Sequence, residues 1–293
     1  MISVIVCSQN TNYLLDLINN IADTIGVTYE IIAFDNRVEN KSIAAVYNEQ
    51  AAKANYNILC FLHEDVRIHT KGWGEVLANT FLDKSIGLAG ISGAVYKSAY
   101  PGTWAACEHN LYRTHSIQHF KNSTLPVETN NNPFNEKISS VAVIDGVFMA
   151  TTKKIFGDYH FDDKLLKGFH CYDLDYSLQV AEKYKIVVTF DILLEHFSEG
   201  KLNEAWLKDS LLLHQKWSAL LPKFQIKVND KHTRTSDYLS LCCALNIALK
   251  YKGYNRFVAS AFYSLTIKFY TLNKLNYSKT VVNYFSGKIK LIQ

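Results

Sequence analysis

Residues 57–62, "NILCFL", make an apolar run that ends in His63, Glu64 and Asp65 before Val66 resumes it. A carboxylate just past a strand end is well placed to hold a divalent cation, because hard cations take oxygen ligands and also grip phosphate oxygens. Asp65 is the first ligand candidate. Neighbours on an extended segment point to opposite faces, so His63 and Asp65 share a side while Glu64 points away. A polar turn, or a cap for the following helix, would use the same three residues without any ligand. A second pair, His115 and His119 in "EHNLYRTHSIQH", has the i, i+4 spacing that holds zinc on a helix. It lacks the adjacent glutamate of HExxH and a third ligand, so a structural or acceptor-lining role fits it better. Neither a Walker-type GxxxxGK[ST] nor a strand-linked GxGxxG occurs, which leaves P-loop and Rossmann dinucleotide sites unsupported.

The elements that must position these residues follow from periodicity. "ISVIVC", "NYLLDLINNIADTI", "EIIAFD", "SIAAVYNEQAAKA" and "NILCFL" alternate short β-branched runs with helical patterns, which predicts βαβ units and a parallel sheet. Ligands of such sheets bind beyond the carboxyl ends of the strands. Residues 7–10, Asp35 with Asn36, and His63 to Asp65 each follow one strand, so three polar clusters are expected to converge on one edge. Residues 96–140 lose periodicity and contain "NSTLPVETNNNPFN", which reads as a long excursion. A strand pair interrupted at Asp145 and Gly146 is expected next, then a loop leading into a helix at "CYDLDYSLQV", then a strand in "KIVVTFDILLEHF". After Pro222 the pattern becomes helical, with a lysine-bearing last segment. The expected fold is α/β, a mixed and mostly parallel sheet flanked by helices over residues 1–222, followed by a basic α-helical region over 223–293.

Composition narrows the classes further. With 293 residues and 48% hydrophobic content the chain can bury a sizeable core. Its six cysteines show no CxxC pair or framework spacing, which suits reduced thiols in the cytoplasm. Met1 leads into an apolar run without a basic n-region or a small-residue cleavage site, so a first strand is expected there in place of a signal peptide. No stretch of 18 or so uncharged apolar residues suggests a membrane span. The net charge of +4 conceals an acidic front and a basic tail, with 12 Lys and Arg against 2 acids from Lys223 onward. Interleaved Tyr and Phe in that tail suit a solvated helical surface or a peripheral membrane contact with anionic lipid. Nucleic acid is not an expected partner, since no reading module accompanies the charge.

"ISVIVCSQN", "YEIIAFDN", "NKSIAAVYNEQAAKANYNILCFLHEDVRI", "VIDGVFMATTKKIF" and "GFHCYDLDYSLQV", in that order, resemble the family-two glycosyltransferases of the GT-A fold. The likeness is greatest to the bacterial branch whose metal motif reads HxD followed by Val, and it covers roughly residues 1–200. The resemblance implies a GT-A-like sheet, a nucleotide-sugar donor, a saccharide or lipid-linked acceptor, and Mn²⁺ or Mg²⁺ as cofactor. It places Cys7, Ser8 and Asn10 along the nucleoside pocket and Asp35 on the base or ribose. Asn48 stands at the family's Arg-Asn position, with Tyr47 in place of the arginine. His63 and Asp65 occupy the DxD motif, His63 toward the nucleotide sugar and Asp65 on the metal, which His196 completes. Asp145, Gly146, His170 and Tyr172 would approach the acceptor or the sugar, and Asp173 would be the catalytic base. Asp175, two residues on, faces elsewhere and is expected to charge the helix N-terminus. Together these imply an inverting transferase of surface polysaccharide or glycoconjugate assembly. The departures at His63 and Tyr47 motivate an alternative, a sugar-nucleotide-binding or scaffolding protein without transfer activity.

Overall fold

Strands covered on both faces need apolar side chains at nearly every position, which is why the first and third apolar runs hardly alternate. In the computed structural model, which describes residues 1–269, β1 (Ile2–Ser8), α1 (Thr11–Thr24), β2 (Tyr29–Asp35), α2 (Ile43–Ala51) and β3 (Ile58–Leu62) make the expected βαβ units. The chain continues through β4 (Val66–Ile68), α3 (Trp73–Thr80), β5 (Ile86–Gly90), β6 (Ser92–Ala94) and β7 (Tyr96–Lys97). Then come β8 (Tyr112–Gln118), β9 (Val127–Asn131), β10 (Ile138–Val141), β11 (Val143–Ile144), β12 (Phe148–Thr152), α4 (Lys153–Asp158) and α5 (Tyr172–Val180). The described chain closes with β13 (Lys185–Thr189), β14 (Leu194–His196), α6 (Glu204–Lys216), β15 (Lys223–Phe224), α7 (Asp230–Ala248) and α8 (Asn255–Ile267). The last lysine-bearing segment, from residue 270, lies outside the described residues.

A seven-stranded sheet runs in the order β10-β13-β5-β12-β3-β1-β2. β1 pairs in parallel with β2 and β3, and only β12 and β10 run against the common direction. The sheet is therefore mixed and mostly parallel. Side chains alternate between two helical layers: Ile5, Leu59 and Phe61 pack with Ala44, Tyr47 and Tyr176 of α2 and α5. Val4, Val6, Cys60 and Leu62 pack on the opposite face with Leu17, Ile21 and Leu77 of α1 and α3. Each such buried aliphatic contributes about 1.5–3 kcal/mol relative to exposure. Trp73 belongs to this second layer, fully buried with its indole donating to Thr24 Oγ1.

A second sheet corrects the expectation for residues 96–140. Its order is β11-β6-β8-β14-β4, with β9 pairing to β8. The excursion thus contains an antiparallel hairpin, β8 and β9. His115 and His119 consequently lie in and just beyond a strand, not on a helix. His115 Nδ1 contacts the Phe190 carbonyl at 2.7 Å and His119 Nε2 contacts Glu195 Oε1 at 2.7 Å, so each has its own partner.

Beyond α5, helices α6, α7 and α8 share one apolar cluster with Leu174 and Leu178, and β15 pairs with β7. All six cysteines are free thiols. Among the described residues no helix is long and apolar enough to cross a membrane.

Candidate active site

The three expected polar clusters do meet at the carboxyl ends of β1, β2 and β3. Ser8 and Asp35 are register partners, and Asn36 N–H donates to Ser8 O at 2.7 Å. Glu64, which faces away from His63 and Asp65, closes this edge. Its carboxylate accepts from Ser8 Oγ (2.6 Å), Gln9 N–H (3.0 Å) and Asn10 N–H (2.9 Å). Asn10 in turn caps α1 by accepting from the Asn12 and Tyr13 N–H groups, a contribution of about 1 kcal/mol. Ser8 and Asn10 therefore shape the β1–α1 turn through their bonds to Glu64 and α1. Cys7 precedes this turn, its thiol pushed up to about 11 by burial, with the nearby Glu64 charge adding to the effect.

The second sheet brings in a residue 131 positions away. β14 pairs antiparallel with β4, placing His196 opposite Val66, and Phe197 N–H donates to Asp65 O at 3.0 Å. His63, Asp65 and His196 then each offer one ligand atom within 4.8 Å of the other two. His196 Nε2 lies 3.5 Å from Asp65 Oδ1, is buried, and makes no hydrogen bond. A buried nitrogen without a hydrogen-bond partner, beside a carboxylate, fits a metal ligand. Burial acts to raise the Asp65 carboxyl, but contacts with His196, then Ser198 and His63, hold it well below the usual range. His63 is pushed down by burial first and by His196 second, which favours the neutral, metal-ligating imidazole. Two imidazoles and one carboxylate suit Mn²⁺ better than Mg²⁺, which prefers oxygen throughout.

Across from this cluster stands the turn between β11 and β12. His63 N–H donates to Val147 O at 3.2 Å, so the turn that holds Asp145 and Gly146 abuts the end of β3. Gly146 N–H donates to Asp173 Oδ2 at 3.0 Å. Asp145 accepts from Val147 N–H through Oδ1 (3.0 Å) and from the Trp104 indole through Oδ2 (2.5 Å). Asp173 sits in the first turn of α5, where N–H groups of Leu174 and Gly146 favour its ionised form. Burial and the Asp145 charge outweigh them and raise its carboxyl to about 7. A carboxyl tuned near neutrality is suited to proton transfer at physiological pH.

Several expected residues are engaged with neighbours or buried. Tyr172 is buried, and its hydroxyl lies 2.8 Å from His63 Nε2 and 3.3 Å from Gly146 O. Asn48 is spent on the 161–163 loop: its amide donates to Phe161 O (2.8 Å) and Asp163 (3.3 Å) and accepts from Phe161 N–H (3.1 Å). It holds that loop and has no donor left for a nucleotide. Asp35, exposed at the end of β2, is gripped by Arg37 through Nε (2.8 Å) and Nη2 (2.5 Å), which lowers its carboxyl to about 2. Arg37 is thus a neighbour that any base or ribose at Asp35 must meet. His170 is half-buried just before α5, and burial lowers its imidazole. Asp175 faces away from Asp173 as expected, but it is fully buried and ties α5 to α6 through Trp217 Nε1 (2.7 Å) and Lys216 Nζ (2.8 Å). Sequence reasoning missed Arg37 and Gln118 as parts of this region, and missed that Glu64 would hold the β1–α1 turn. Only the apolar-to-acidic break at Glu64 gave any signal.

The same architecture recurs in solved glycosyltransferases and defines the class as the GT-A fold. GalNAc-T7, solved with UDP, GalNAc and Mn²⁺, is 12% identical, with 92% of this chain and 57% of that chain covered and a TM-score of 0.53. The mannosyltransferase PcManGT from Pyrobaculum calidifontis, solved with GDP-Man and Mn²⁺, is 12% identical over 98% of this chain and 82% of that one, with a TM-score of 0.50. The chain thus spans little more than half the length of the GalNAc-T7 structure. No curated protein matches the chain. The model described as "Glycosyltransferase like family" matches residues 3–216, and the chain belongs to that family.

Proposed function

We propose that the chain is a metal-dependent inverting glycosyltransferase that moves a sugar from a nucleotide-sugar donor to a hydroxyl of a saccharide or lipid-linked acceptor. The observation that carries this reading is the His63, Asp65 and His196 cluster facing the Asp145–Asp173 pair across one strand edge. An anionic diphosphate meets three carboxylates here, so a cation is needed to bind it. His63, Asp65 and His196 would hold Mn²⁺, which when bound supplies positive charge to the leaving diphosphate. Glu64 fixes the β1–α1 turn and Asp35 with Arg37 offers polar groups where the nucleoside would lie. Asp173 takes the proton of the acceptor hydroxyl as it attacks the anomeric carbon, and Gly146 N–H keeps that carboxylate in place. A single displacement inverts the anomeric centre.

Residues 1–222 would form the transfer unit and 223–293 a basic appendage, in a cytoplasmic protein working on surface polysaccharide or glycoconjugate. Exposed Tyr251, Tyr263 and Ile267 near Lys250, Lys252 and Arg256 support a peripheral contact of this appendage with anionic lipid. The relatives in fold hold UDP in one case and GDP-Man in the other, so both bases belong in the test. Purified protein is incubated with UDP-, GDP-, CDP- and dTDP-sugars and Mn²⁺, and the anomer released or transferred is read by NMR. Turnover of one donor with inversion supports the reading. Nucleotide binding with no turnover, equal in wild type and Asp173→Asn, would favour the non-catalytic scaffold.

A further inference from the structure

Gln118 closes β8, and in the parallel ladder with β14 it is the register partner of His196. Its amide nitrogen donates to two carbonyls, His119 O and Ser198 O, both at 2.8 Å. Those bonds decide which way the amide points, because a carbonyl accepts only from the NH₂ end. The oxygen Oε1 is therefore the atom that faces His196, 3.1 Å from Nδ1. An amide oxygen cannot donate, so His196 must carry its proton on Nδ1. In the neutral ring Nε2 is then the bare nitrogen, and Nε2 is the buried atom that lacks a partner and lies 3.5 Å from Asp65 Oδ1.

We propose that Gln118 is a positioning residue of the metal centre: it locks His196 in the Nδ1–H tautomer and aims the Nε2 lone pair at the site of the cation. Outer partners of this kind fix ring orientation and tautomer in metal sites generally. Here the same side chain also donates to the carbonyls of His119, next along the chain from Gln118, and Ser198, two residues past His196, so ring and backbone are fixed together. The role rests on the metal reading above, and the test separates the two.

The test uses full-length protein with ¹⁵N-labelled histidine. Long-range ¹H–¹⁵N NMR of the metal-free form reports the tautomer, with His196 assigned through His196→Asn, and electron paramagnetic resonance of free Mn²⁺ reports affinity. The expected result is Nδ1–H in the wild type. Gln118→Met, which keeps shape and removes the acceptor, gives mixed tautomers and an Mn²⁺ affinity roughly 10- to 100-fold weaker. Gln118→Glu keeps an oxygen facing Nδ1–H and retains most of the affinity, although it loses the donors to both carbonyls. An Nε2–H tautomer in the wild type, unchanged affinity in Gln118→Met, or a Gln118→Glu as weak as Gln118→Met would each overturn the inference. Should Gln118→Met fail to fold, the wild-type tautomer and Gln118→Glu still decide it. A wild type that shows Nδ1–H and binds no Mn²⁺ would instead sink the metal reading and leave only the tautomer lock standing.

Discussion

The hydroxyl of Tyr172 lies 2.8 Å from His63 Nε2, and the next residue along α5 is Asp173. One helical turn thus carries both the hydroxyl that contacts the His63 imidazole and the Asp173 carboxylate. The Gly146 peptide is held between them, its C=O near the Tyr172 hydroxyl and its N–H on Asp173. The separation of His63 from Asp173 is thereby set by α5 and one turn.

Gly146 has no room for a side chain. A Cβ there would come within 2.2 Å of the Tyr172 hydroxyl. Gly146→Ala is expected to push Tyr172 off His63, destabilise the fold by about 1–3 kcal/mol, and weaken Mn²⁺ binding. Thermal melts and an Mn²⁺ titration check both effects; wild-type affinity in the variant would break the link between Gly146 and His63.

Asp173→Asn should lower turnover by about 10²–10⁴-fold while nucleotide and Mn²⁺ binding persist. It should also stabilise the protein at neutral pH. A carboxyl raised to about 7 in the folded state binds its proton more tightly than in the unfolded chain. Stability is therefore lost as pH rises from about 4 to about 7, and the whole cost remains above that window. Removing the group removes the cost, so the melting temperature of Asp173→Asn should exceed the wild type at pH 8 and match it near pH 4.

The acid limb of the rate profile should fall near pH 7, where Asp173 takes up its proton. Asp145→Asn takes away a like charge beside it, so the limb should move to lower pH. A limb that stays in place in this variant would show that another group limits the rate.

Glu64→Ala removes the acceptor for three donors of the β1–α1 turn. The expected cost is about 1–3 kcal/mol of stability, together with weaker nucleotide binding. Calorimetry on the variant measures both, and unchanged nucleotide affinity would dissociate the turn from the nucleoside pocket.

The βαβ order, the convergence of strand ends and the shared face of His63 and Asp65 were legible because strand period and apolar runs are local properties. The pairing of His196 with Asp65 came only through the family resemblance and not from local pattern, since it depends on β14 lying between β8 and β4 in the second sheet. "YRTHSIQ" hid that sheet: its alternation is weak and polar, as an edge-facing hairpin permits. Glu64 and Gln118 escaped for a different reason, because most of their partners are backbone N–H and C=O groups, which a sequence does not display. Asn48 and Tyr172 matched expected positions yet turned inward, and only packing against Phe161 and Gly146 reveals it.

The most direct measurement is isothermal titration of UDP and GDP, each with Mn²⁺, with Mg²⁺ and with EDTA, into wild type, Asp65→Ala and His196→Ala. Nucleotide binding that requires the metal, is stronger with Mn²⁺ than with Mg²⁺, and is lost in both variants is the result predicted by the His63, Asp65 and His196 cluster. Binding that is equally tight in EDTA, or undiminished in the two variants, would contradict a metal-held donor at this strand edge.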